Sequence, residues 1–488
     1  MQPMKVFFVN PAFKSEYGKF SRENRSPTVT RSGTLYYPLW LIYAAAVCEK
    51  DGFTVEFLDA PALPMNDEQQ YDYISKYAEG VKLFVVNTST PSIINDTLCG
   101  DRLKELYPDA YVMLVGTHPS ALPEETLKNS KRINALARHE YDYIVRDVAR
   151  ALRDGQSPND TLGLTYRDDS GEIVSNSDMP YITEMDSIPF LSEFVKHHLN
   201  YKDYFFAAGT YPEIQLFTGR GCMARCNFCV YPQVMHGHQY RIRSARNVIE
   251  ELEYISKNFI DVKEIVFEDD TFTIDKNRVQ EICNMMIEKR LNKRFRWLCN
   301  ARVNLDLETM KLMKKAGCHL IIPGIESGSQ EILKNIQKGT TLKQVHRYIE
   351  DAKKAGLMVH ACYMVGNQGE TKETMKETLN LALELNTDTA QFYPLLPFPG
   401  TKAYLWAKSN GYIHGDYSDY VKEDGTINCL LELPGLSGEE MVRFCDDARK
   451  KYYWRPKYIL HRLWVGLKDP SDLWRSIKAF MNLRKYLF

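Results

Sequence analysis

The sequence predicts an α/β protein: a doubly wound parallel sheet, then a partial (β/α)6 barrel, then a helical C-terminal tail. The first two parts are predicted by short apolar runs that alternate with helical stretches in residues 1–150 and again in residues 211–410. Residues 151–210, rich in Asp, Ser, Asn and Pro, predict a linker with a small hairpin. Residues 411–488 read as helical and become aromatic and basic near their end. A length of 488 residues fits several domains, because one hydrophobic core rarely organises so many.

The first series contains five runs that we expect to form strands, at residues 5–9, 55–59, 83–87, 112–116 and 143–146. Four of them are continuous apolar segments, which are typical of strands that crossover helices bury on both faces. Residues 40–50 and 96–107 have helical length and spacing. Ligands of such sheets bind at the carboxyl ends of the strands, which here carry residues 87–91 and 116–119.

The second series predicts six βα units, three-quarters of the eight units of a complete barrel. Strands are expected at residues 214–218, 264–269, 295–300, 319–325, 359–365 and 389–396. Helices are expected at residues 245–257, 278–289, 307–316, 342–355 and 372–385. The active sites of such barrels lie on the loops that follow the strands.

Composition excludes several classes of protein. A net charge of -1 argues against a general nucleic-acid binder. The apolar runs fall short of the roughly 20 residues of a membrane-spanning helix, and we expect no export signal at the N-terminus. Eleven cysteines, three of them clustered, do not form the dense framework of a secreted disulfide protein. We therefore expect a cytoplasmic protein without a nucleic-acid partner.

The tail is strongly basic. From residue 449 to residue 488 it carries eleven Lys and Arg against two Asp, and large apolar side chains alternate with the charges between residues 452 and 488. Amphipathic helices that lie on a membrane surface have this composition. A helical cap packed on the barrel has it too, and Pro470 limits the length of any single helix. Two expectations stay open: a cap on the barrel, or peripheral contact with a membrane.

Cys222, Cys226 and Cys229 place three thiols within eight residues, on the loop that leaves the first strand of the second series. Three thiolates can hold three irons of a 4Fe–4S cubane and leave the fourth iron open. An open iron can chelate the amino and carboxylate groups of S-adenosylmethionine (SAM). A zinc site with His236 or His238 as fourth ligand is the alternative, but it does not explain why the loop lies at the top of a βα series.

The spacing C-x3-C-x2-C, with the aromatic Phe228 before the last cysteine, resembles the signature of the radical SAM superfamily. The resemblance implies that an electron from the cluster cleaves SAM to a 5′-deoxyadenosyl radical, and that a flavodoxin- or ferredoxin-type protein supplies the electron. It also implies contacts with SAM at the cluster loop and at the later strand ends. The candidate residues are Phe228, Asp269, Asp270, Arg302, Glu326, Ser327 and Gly366.

Each of these contacts has an ordinary structural alternative. The two aspartates would hold the methionyl ammonium of SAM, or would simply cap the next helix. The arginine would pair with the SAM carboxylate, or would be an exposed surface residue. Glu326 lies in a turn similar to the ribose-contacting turn of the superfamily, where the alternative is a plain turn. Gly366 begins a segment similar to the GxPGET motif, with Gln368 in place of the proline.

The whole chain resembles the branch of the superfamily that carries an N-terminal cobalamin-binding-like domain. That branch includes the anaerobic magnesium-protoporphyrin monomethyl ester cyclase and many methyltransferases, and the shared pieces are residues 116–119, 123–125, 324–328, 369–371 and 397–401. Within the branch, the chain looks most like the hopanoid-biosynthesis cyclitol ether synthase group, through residues 37–40, 87–92, 231–233, 269–273 and 335–339. Val230 and Tyr231 depart from the leucine and tryptophan of that group.

Binding of cobalamin stays open from the sequence. The cobalt-ligating motif D-x-H-x-x-G is absent from the first 150 residues. Several members of the branch bind cobalamin without a histidine ligand, so the missing motif does not exclude this cofactor. A domain that keeps the fold, however, need not still bind cobalamin. If cobalamin binds, we expect it at the carboxyl edge of the first sheet, against Asn87, Thr88, Ser89, Thr117 and His118.

The resemblance implies an enzyme that cyclises or rearranges a sugar-derived polar head group of a lipid, without net methyl transfer. The alternative is a cobalamin-dependent methyltransferase that acts on an unactivated carbon, and a third hypothesis is a non-catalytic, zinc-stabilised binding module. For an enzyme, the substrate is a small or lipid-linked molecule. Its expected contacts are hydrogen-bonding residues just after the cluster loop: Tyr231, Gln233, His236, His238, Tyr240 and Arg241.

Overall fold

The computed structural model describes residues 4–23, 25–30, 32–456, 458–460, 462 and 467, and it contains two large sheets flanked by helices. The strands of the first domain are β1 (Lys5–Asn10), β2 (Phe20–Ser21), β3 (Thr28–Val29), β4 (Thr54–Asp59), β5 (Val81–Thr88), β6 (Tyr111–Gly116), β7 (Ala135–Ala137), β8 (Leu164–Arg167) and β9 (Ile173–Ser175). Its helices are α1 (Leu39–Lys50), α2 (Asp67–Tyr77), α3 (Ile93–Leu106), α4 (Thr117–Ala121), α5 (Pro123–Asn129), α6 (Asp142–Arg153) and α7 (Leu191–His198).

The first sheet runs in the order β4-β1-β5-β6-β7-β8-β9. Strands β4 to β7 of this order pair in parallel, whereas β8 and β9 form an antiparallel hairpin at the edge. Side chains of β1 alternate between two hydrophobic cores, one shared with α1 and α6 and the other with α2 and α3. The continuous apolar runs are therefore buried on both faces, and the predicted doubly wound sheet is confirmed.

Two details of the first domain differ from the prediction. Residues 143–146 are not a strand but part of α6, and the fifth parallel strand is β7. Ile144, Val145, Val148 and Ala149 form a buried stripe at helical spacing, which a window of four residues cannot distinguish from a strand. The predicted hairpin exists as β8 and β9, but it extends the first sheet instead of standing alone in a linker.

The second domain is the predicted six-stranded partial barrel. Its strands are β10 (Glu213–Leu216), β11 (Gly219–Arg220), β12 (Arg241–Ile242), β13 (Glu264–Phe267), β14 (Arg296–Ala301), β15 (Cys318–Glu326), β16 (Met358–Val365) and β17 (Thr389–Pro394). Its helices are α8 (Ala245–Asn258), α9 (Lys276–Glu288), α10 (Leu291–Arg294), α11 (Leu307–Lys315), α12 (Gln330–Asn335), α13 (Leu342–Ala355), α14 (Lys372–Leu385) and α15 (Lys402–Ser409). The parallel order is β10-β13-β14-β15-β16-β17, while β11 and β12 form a separate small ribbon.

Local chemistry sets the ends of the barrel helices. The Thr341 hydroxyl accepts a hydrogen bond from the Gln344 amide, and the Gln344 side chain accepts one from the Thr341 amide, so α13 begins with a capping box. The helix ends at Gly356, which has a φ of 73°. Such defined ends keep the connecting loops short and bring every strand end to the same rim of the barrel.

The C-terminal region is less helical than predicted. Residues 411–436 form irregular segments held by isolated bridges such as Ile413–Leu431, because this stretch is rich in Gly and Asp. A short turn, Tyr417–Tyr420, packs on the carboxyl edge of the first sheet. Helix α16 (Gly438–Tyr453) packs on β17. Most of the predicted amphipathic stretch, residues 452–488, lies outside the described residues. Within the described part of the chain, no helix is long and apolar enough to cross a membrane.

A buried ion network joins the two domains directly behind the cysteine loop. Arg220 Nη1 donates to Glu140 at 2.9 Å and to Asp142 at 2.8 Å. Arg241 Nη1 also donates to Glu140, at 2.7 Å. All four side chains are at most 3% exposed. The positive charges of two arginines thus balance the negative charges of two carboxylates. Because water does not reach this place, it could not solvate a charge whose partner was removed.

Removal of one partner should therefore destabilise the fold. The substitution Arg220→Ala leaves Asp142 uncompensated, and we expect a loss of about 3–5 kcal/mol in the free energy of unfolding. Urea titration followed by circular dichroism measures this loss. The matched control is Arg246→Ala, which breaks an exposed pair with Glu250 and should leave the transition nearly unchanged. Equal shifts for the two variants would contradict the assigned role of the network.

Candidate active site

One cavity of about 1440 Å³ runs through the barrel. Its lining reaches from Cys222 and Asp270, at the carboxyl ends of the strands, to Lys263 and Thr389 at their amino ends. Parts of residues 25–36, from the first domain, form one of its walls. Since ligand pockets for drug-sized molecules usually measure about 300–1,000 Å³, the cavity has room for more than one molecule.

The three clustered thiols line this cavity together. Cys222 and Cys226 are 6% and 7% exposed, and Cys229 is partly buried. Burial raises the pKa of the Cys222 and Cys229 thiols. All eleven cysteines of the chain are free. The three thiols of the loop offer a bound metal a matched set of sulfur donors, and a bound metal favours the thiolate form that burial disfavours at Cys222 and Cys229.

Two aspartates after β13 anchor the cysteine loop. Asp269 accepts hydrogen bonds from the Thr218 amide and hydroxyl, both at 2.6 Å. Asp270 accepts one from the Gly221 amide at 3.0 Å. Gly221 has a φ of 86°, and a Cβ atom there would collide with the Gln239 carbonyl oxygen. Only glycine therefore permits the turn that leads into Cys222.

His236 connects the loop to the first domain. Its Nδ1 lies 2.9 Å from Asp270 Oδ2, and its ring stacks on Trp40 of α1 with the centroids 3.5 Å apart. Burial lowers the pKa of His236. Burial alone would raise the pKa of Asp270, but His236 and Arg25 hold this pKa below its ordinary value. Asp270 thus lies on the cavity wall with a lowered pKa, and its carboxylate is fixed by the hydrogen bond with His236.

Arg302, Lys338 and Glu326 form a charged group beside Cys226. Arg302 Nη1 lies 3.7 Å from Cys226 Sγ, and its Nη2 donates to the Lys338 carbonyl at 2.6 Å. Lys338 Nζ donates to Glu326 Oε1 at 2.7 Å. Glu326 has a φ of 71°, which costs a residue other than glycine about 1–3 kcal/mol. A Cβ atom at Gly324 would collide with the Glu326 carboxylate, so the close approach of these groups requires glycine.

Four of the seven predicted SAM contacts line the cavity, namely Phe228, Asp270, Arg302 and Glu326. The other three residues do not line the cavity, because each of them contacts another part of the fold instead. Asp269 holds Thr218, as described. Ser327 Oγ lies 3.1 Å from Thr378 Oγ1. Gly366 has a φ of 90° and packs against Met441.

Of the six predicted substrate contacts, Tyr231 alone lines the cavity. Gln233 instead braces the cysteine loop: its Nε2 donates to the Cys229 carbonyl at 2.8 Å, and its Oε1 accepts from the Lys402 amide. His238 Nδ1 lies 3.1 Å from the Cys222 carbonyl oxygen. These donors satisfy carbonyl groups that the tight loop leaves without partners in secondary structure.

The remaining members of that set are also structural. His236 lies beneath the loop, and Arg241 binds Glu140 and donates to the His236 carbonyl at 2.8 Å. Tyr240 Oη lies 3.4 Å from Arg278 Nη1. Five of the six residues therefore do not line the cavity, because the loop's own backbone and neighbouring side chains use their polar groups, and their contact with a substrate stays a prediction.

None of the five predicted cobalamin contacts lines the cavity. Asn87, Thr88, Ser89 and His118 are at most 3% exposed, and Thr117 is partly buried. Their polar groups bond within the edge of the sheet, for example Thr88 Oγ1 to the Val115 carbonyl at 2.9 Å. The sequence could not predict this burial, because the covering side chain is distant in the chain. Tyr417 lies edge-on to the His118 ring, with the centroids 4.6 Å apart.

Sequence reasoning missed Arg25 and Glu268. Arg25 reaches from the first domain into the cavity lining, 3.7 Å from the Glu268 carboxylate, and lies over the Tyr231 ring. Glu268 also accepts a hydrogen bond from Asn300 Nδ2 at 3.1 Å. Glu268 directly precedes the two aspartates, so the run of three acidic residues could have identified it as a candidate site residue. Arg25 lies in an irregular segment that carries no pattern.

Comparison with known proteins agrees with this architecture. The radical SAM superfamily model matches residues 216–382, and the B12 binding domain model matches residues 25–148. An uncharacterized methyltransferase of Pyrococcus horikoshii is 30% identical over 463 residues, which cover 94% of this chain and 95% of that protein. The chain belongs to the radical SAM superfamily. The radical SAM model spans the cysteine loop and the barrel strands from β13 to β16.

Two further similarities extend over nearly the whole chain. The anaerobic magnesium-protoporphyrin IX monomethyl ester cyclase of Cereibacter sphaeroides is 25% identical over 475 residues, covering 95% of this chain and 72% of that protein. The solved structure of the radical SAM methyltransferase TsrM from Kitasatospora setae superposes with a TM-score of 0.67 at 16% identity, covering 93% of this chain and 90% of that one. This second similarity shows a shared fold.

As a radical SAM enzyme with a B12 binding domain, the protein uses a 4Fe–4S cluster, SAM and cobalamin. The donor set fits the cluster, since three free thiols of one loop line one cavity. Among the described residues, no three His, Cys, Asp or Glu side chains lie close enough together to bind one shared metal ion. A cubane, in which each iron takes its own thiolate, does not require such a group.

The cluster assignment predicts a sharp difference between cysteines. The substitution Cys226→Ala should abolish iron binding and the formation of 5′-deoxyadenosine, because each thiolate holds one iron. Cys429→Ala removes another buried thiol and should retain roughly four irons per chain. Iron analysis and chromatography after anaerobic reconstitution measure both quantities. Normal iron content in Cys226→Ala would refute the assignment.

His118 should make stability depend on pH. Burial lowers its pKa from 6.5 to about 3. As the pH falls below 6.5, the unfolded chain therefore binds a proton that the folded chain does not, and the free energy of unfolding falls. Between pH 7 and pH 5 this loss should be about 2 kcal/mol.

Urea titrations of wild type and of His118→Gln at both pH values measure this dependence. The variant should lose about 2 kcal/mol less than wild type between pH 7 and pH 5. His197→Gln, at an exposed histidine, should keep the wild-type dependence. Parallel losses in wild type and in His118→Gln would contradict the assignment.

Proposed function

We propose that this protein is a cobalamin-dependent radical SAM methyltransferase that acts on an unactivated carbon. The observation that carries the proposal is that the three cysteines and a segment of the B12 binding domain border one cavity. A methyl donor and a radical generator must both reach the same substrate carbon, and a shared cavity permits this. The name of the relative from Pyrococcus horikoshii, an uncharacterized methyltransferase, supports the same reaction class.

When bound, the cluster and SAM supply a carbon-centred radical that abstracts hydrogen, and cobalamin supplies the methyl group. In this proposal Cys222, Cys226 and Cys229 hold three irons. Asp270 holds the ammonium of SAM and Arg302 holds its carboxylate, since an ionised acid and a guanidinium lie on the same wall of the cavity.

Glu326 accepts hydrogen bonds from the ribose hydroxyls of SAM. Lys338 donates to one carboxylate oxygen of Glu326 and thereby fixes the other for this contact. The left-handed backbone at Glu326 and the absence of a side chain at Gly324 let the Glu326 carboxylate and Lys338 meet at the strand end. Phe228 lines the cavity and packs against Ile332, Leu333 and Ile336, and in this proposal it keeps water away from SAM.

The residues present fit cobalamin at a different place from the one expected from the sequence. The buried edge at His118 offers no surface, whereas the first domain contributes hydroxyl-bearing side chains to the cavity wall. The partly exposed members of this wall are Ser26, Thr30, Ser32 and Tyr36. In our proposal they face the corrin and hydrogen-bond to its amide side chains.

A ring-forming reaction is the second candidate. The relative from Cereibacter sphaeroides favours it, because its name describes a cyclase. The finer hypothesis, a sugar-derived lipid head group as in the cyclitol ether synthase group, stays a prediction. So do the flavodoxin- or ferredoxin-type donor, the cytoplasmic location and the contact of the tail with a membrane.

Labelled SAM separates the two reactions. Anaerobic holoenzyme is incubated with dithionite, SAM that carries a trideuterated methyl group, and a metabolite extract from cells that lack the gene. Methyl transfer predicts a product that gains the intact labelled group, together with S-adenosylhomocysteine and 5′-deoxyadenosine. Ring closure predicts an unlabelled product that has lost two hydrogens. The second outcome would replace the methyltransferase proposal, and reactions without cobalamin serve as the control.

A further inference from the structure

The cysteine loop has a side that faces solvent as well as a side that faces the cavity. Cys222 and Cys226 line the cavity, whereas Met223 and Arg225, which lie between them in the chain, do not. Met223 is 61% exposed, and Arg225 is exposed as well. The loop itself therefore separates the thiols from solvent on this side of the protein.

Two other segments of the barrel border the solvent side of the loop. Asn227, which directly follows Cys226, binds both of them through its backbone. Its amide donates to the Ile336 carbonyl at 3.1 Å, and its carbonyl accepts from the Ala403 amide at 3.0 Å. The residues that follow α12 and the first residues of α15 therefore flank the part of the loop between Cys226 and Cys229.

These two segments bring exposed cations next to the loop. Lys334 lies in α12 and Lys402 begins α15. The Gln337 amide donates to the Lys334 carbonyl at 3.0 Å, and Lys402 Nζ donates to Gln337 Oε1 at 3.5 Å. We call Met223, Arg225, Lys334, Gln337 and Lys402 the outer face, and all five residues are exposed.

The three segments that form the outer face contain no acidic residue over long distances. Residues 214–249, 332–349 and 389–415 have no Asp and no Glu, although 63 of the 488 residues of the chain are acidic. Glu331, in the first turn of α12, is the acidic residue nearest to Lys334 in the sequence. With three cations, the outer face is thus positive, and a surface of one sign attracts a partner of the other sign.

The chemistry of the site requires such a partner. Cleavage of SAM to methionine and a 5′-deoxyadenosyl radical consumes one electron, which the cluster must receive from a reduced molecule. An electron donor has to come close to the cluster to deliver it. The outer face is formed by the loop that carries the three thiols, so a protein bound there lies next to the cluster, while SAM and the substrate use the cavity on the other side.

We propose that the outer face is the docking surface for a small acidic protein that carries one electron. Carboxylates of the partner contact Arg225, Lys334 and Lys402, and Met223 supplies an apolar contact beside them. The partner loses one electron and the cluster gains it, so no atom is transferred and no bond forms or breaks in this step. Complexes of this kind bury little surface and are short-lived, which suits a donor that must leave after each transfer.

Binding of a bacterial flavodoxin, an acidic protein with one flavin mononucleotide, tests the docking surface. Oxidised flavodoxin is titrated into the anaerobic holoenzyme in a calorimeter at about 0.1 M salt, where exposed charges act over only about 10 Å. The combined variant Arg225→Glu, Lys334→Glu, Lys402→Glu should bind at least about tenfold more weakly than wild type, because its three positions now repel the partner. Wild-type affinity in this variant would overturn the proposal.

A matched variant separates local docking from the overall charge of the protein. Lys257, Lys293 and Lys315 are exposed and lie near the ends of α8, α10 and α11, just before the next barrel strands begin. They are thus at the opposite end of the barrel from the cysteine loop. Lys257→Glu, Lys293→Glu, Lys315→Glu makes the same change in net charge and should bind flavodoxin within about twofold of wild type. Equal weakening in both combined variants would overturn the docking surface.

Two reductants then show whether docking serves electron delivery. With reduced flavodoxin, the outer-face variant should form 5′-deoxyadenosine at least about tenfold more slowly than wild type. With dithionite, which is small and needs no docking surface, the variant should match wild type in this rate, and its iron content should be unchanged. An equal loss with both reductants would mean that these residues support the cluster site itself, and it would overturn the proposal.

The outcome is independent of the proposed methyl transfer. Both measurements are made without substrate, so they hold whether the labelled SAM reveals a methylated or a ring-closed product. If the combined variant does not fold, Arg225→Glu alone provides the same comparison of flavodoxin with dithionite. A wild-type rate with flavodoxin in a folded variant would overturn the docking surface.

Discussion

Arg220 lies two residues before the first clustered cysteine, between Glu140 and Asp142 of the first domain, where water does not reach. A buried charge must stay next to its partner, because either charge alone would strongly destabilise the fold. The network therefore fixes the start of the cysteine loop and the position of the first domain together. The network thus ties the cysteine loop to the domain whose residues 25–36 form one wall of the cavity.

The loop then requires support from every side, because three thiols must face the cavity while the backbone between them stays hydrogen-bonded. Asp269 and Asp270 hold its beginning, Gln233 holds its end, and His238 contacts the Cys222 carbonyl. This demand explains why the segment after the cysteines is so polar. Its donors serve the loop.

The sequence predicted the features that depend on local pattern. Continuous apolar runs identified the strands of both sheets, and the spacing of Cys222, Cys226 and Cys229 identified the candidate cluster. It failed where distant segments meet. The burial of His118 depends on Tyr417, and the role of Arg25 depends on Glu268, across separations that no periodicity reports. The short run at residues 143–146 shows the other limit, since four apolar residues fit a helix as well as a strand.

The site requires that the three thiols hold a cluster whose open iron binds SAM within this cavity. Electron–nuclear double resonance of the reduced holoenzyme, with SAM labelled by ¹⁵N in its amino group and by ¹⁷O in its carboxylate, measures this contact. We expect hyperfine coupling of both labels to the cluster. A reduced 4Fe–4S spectrum that shows no coupling to either label in the presence of saturating SAM would contradict it.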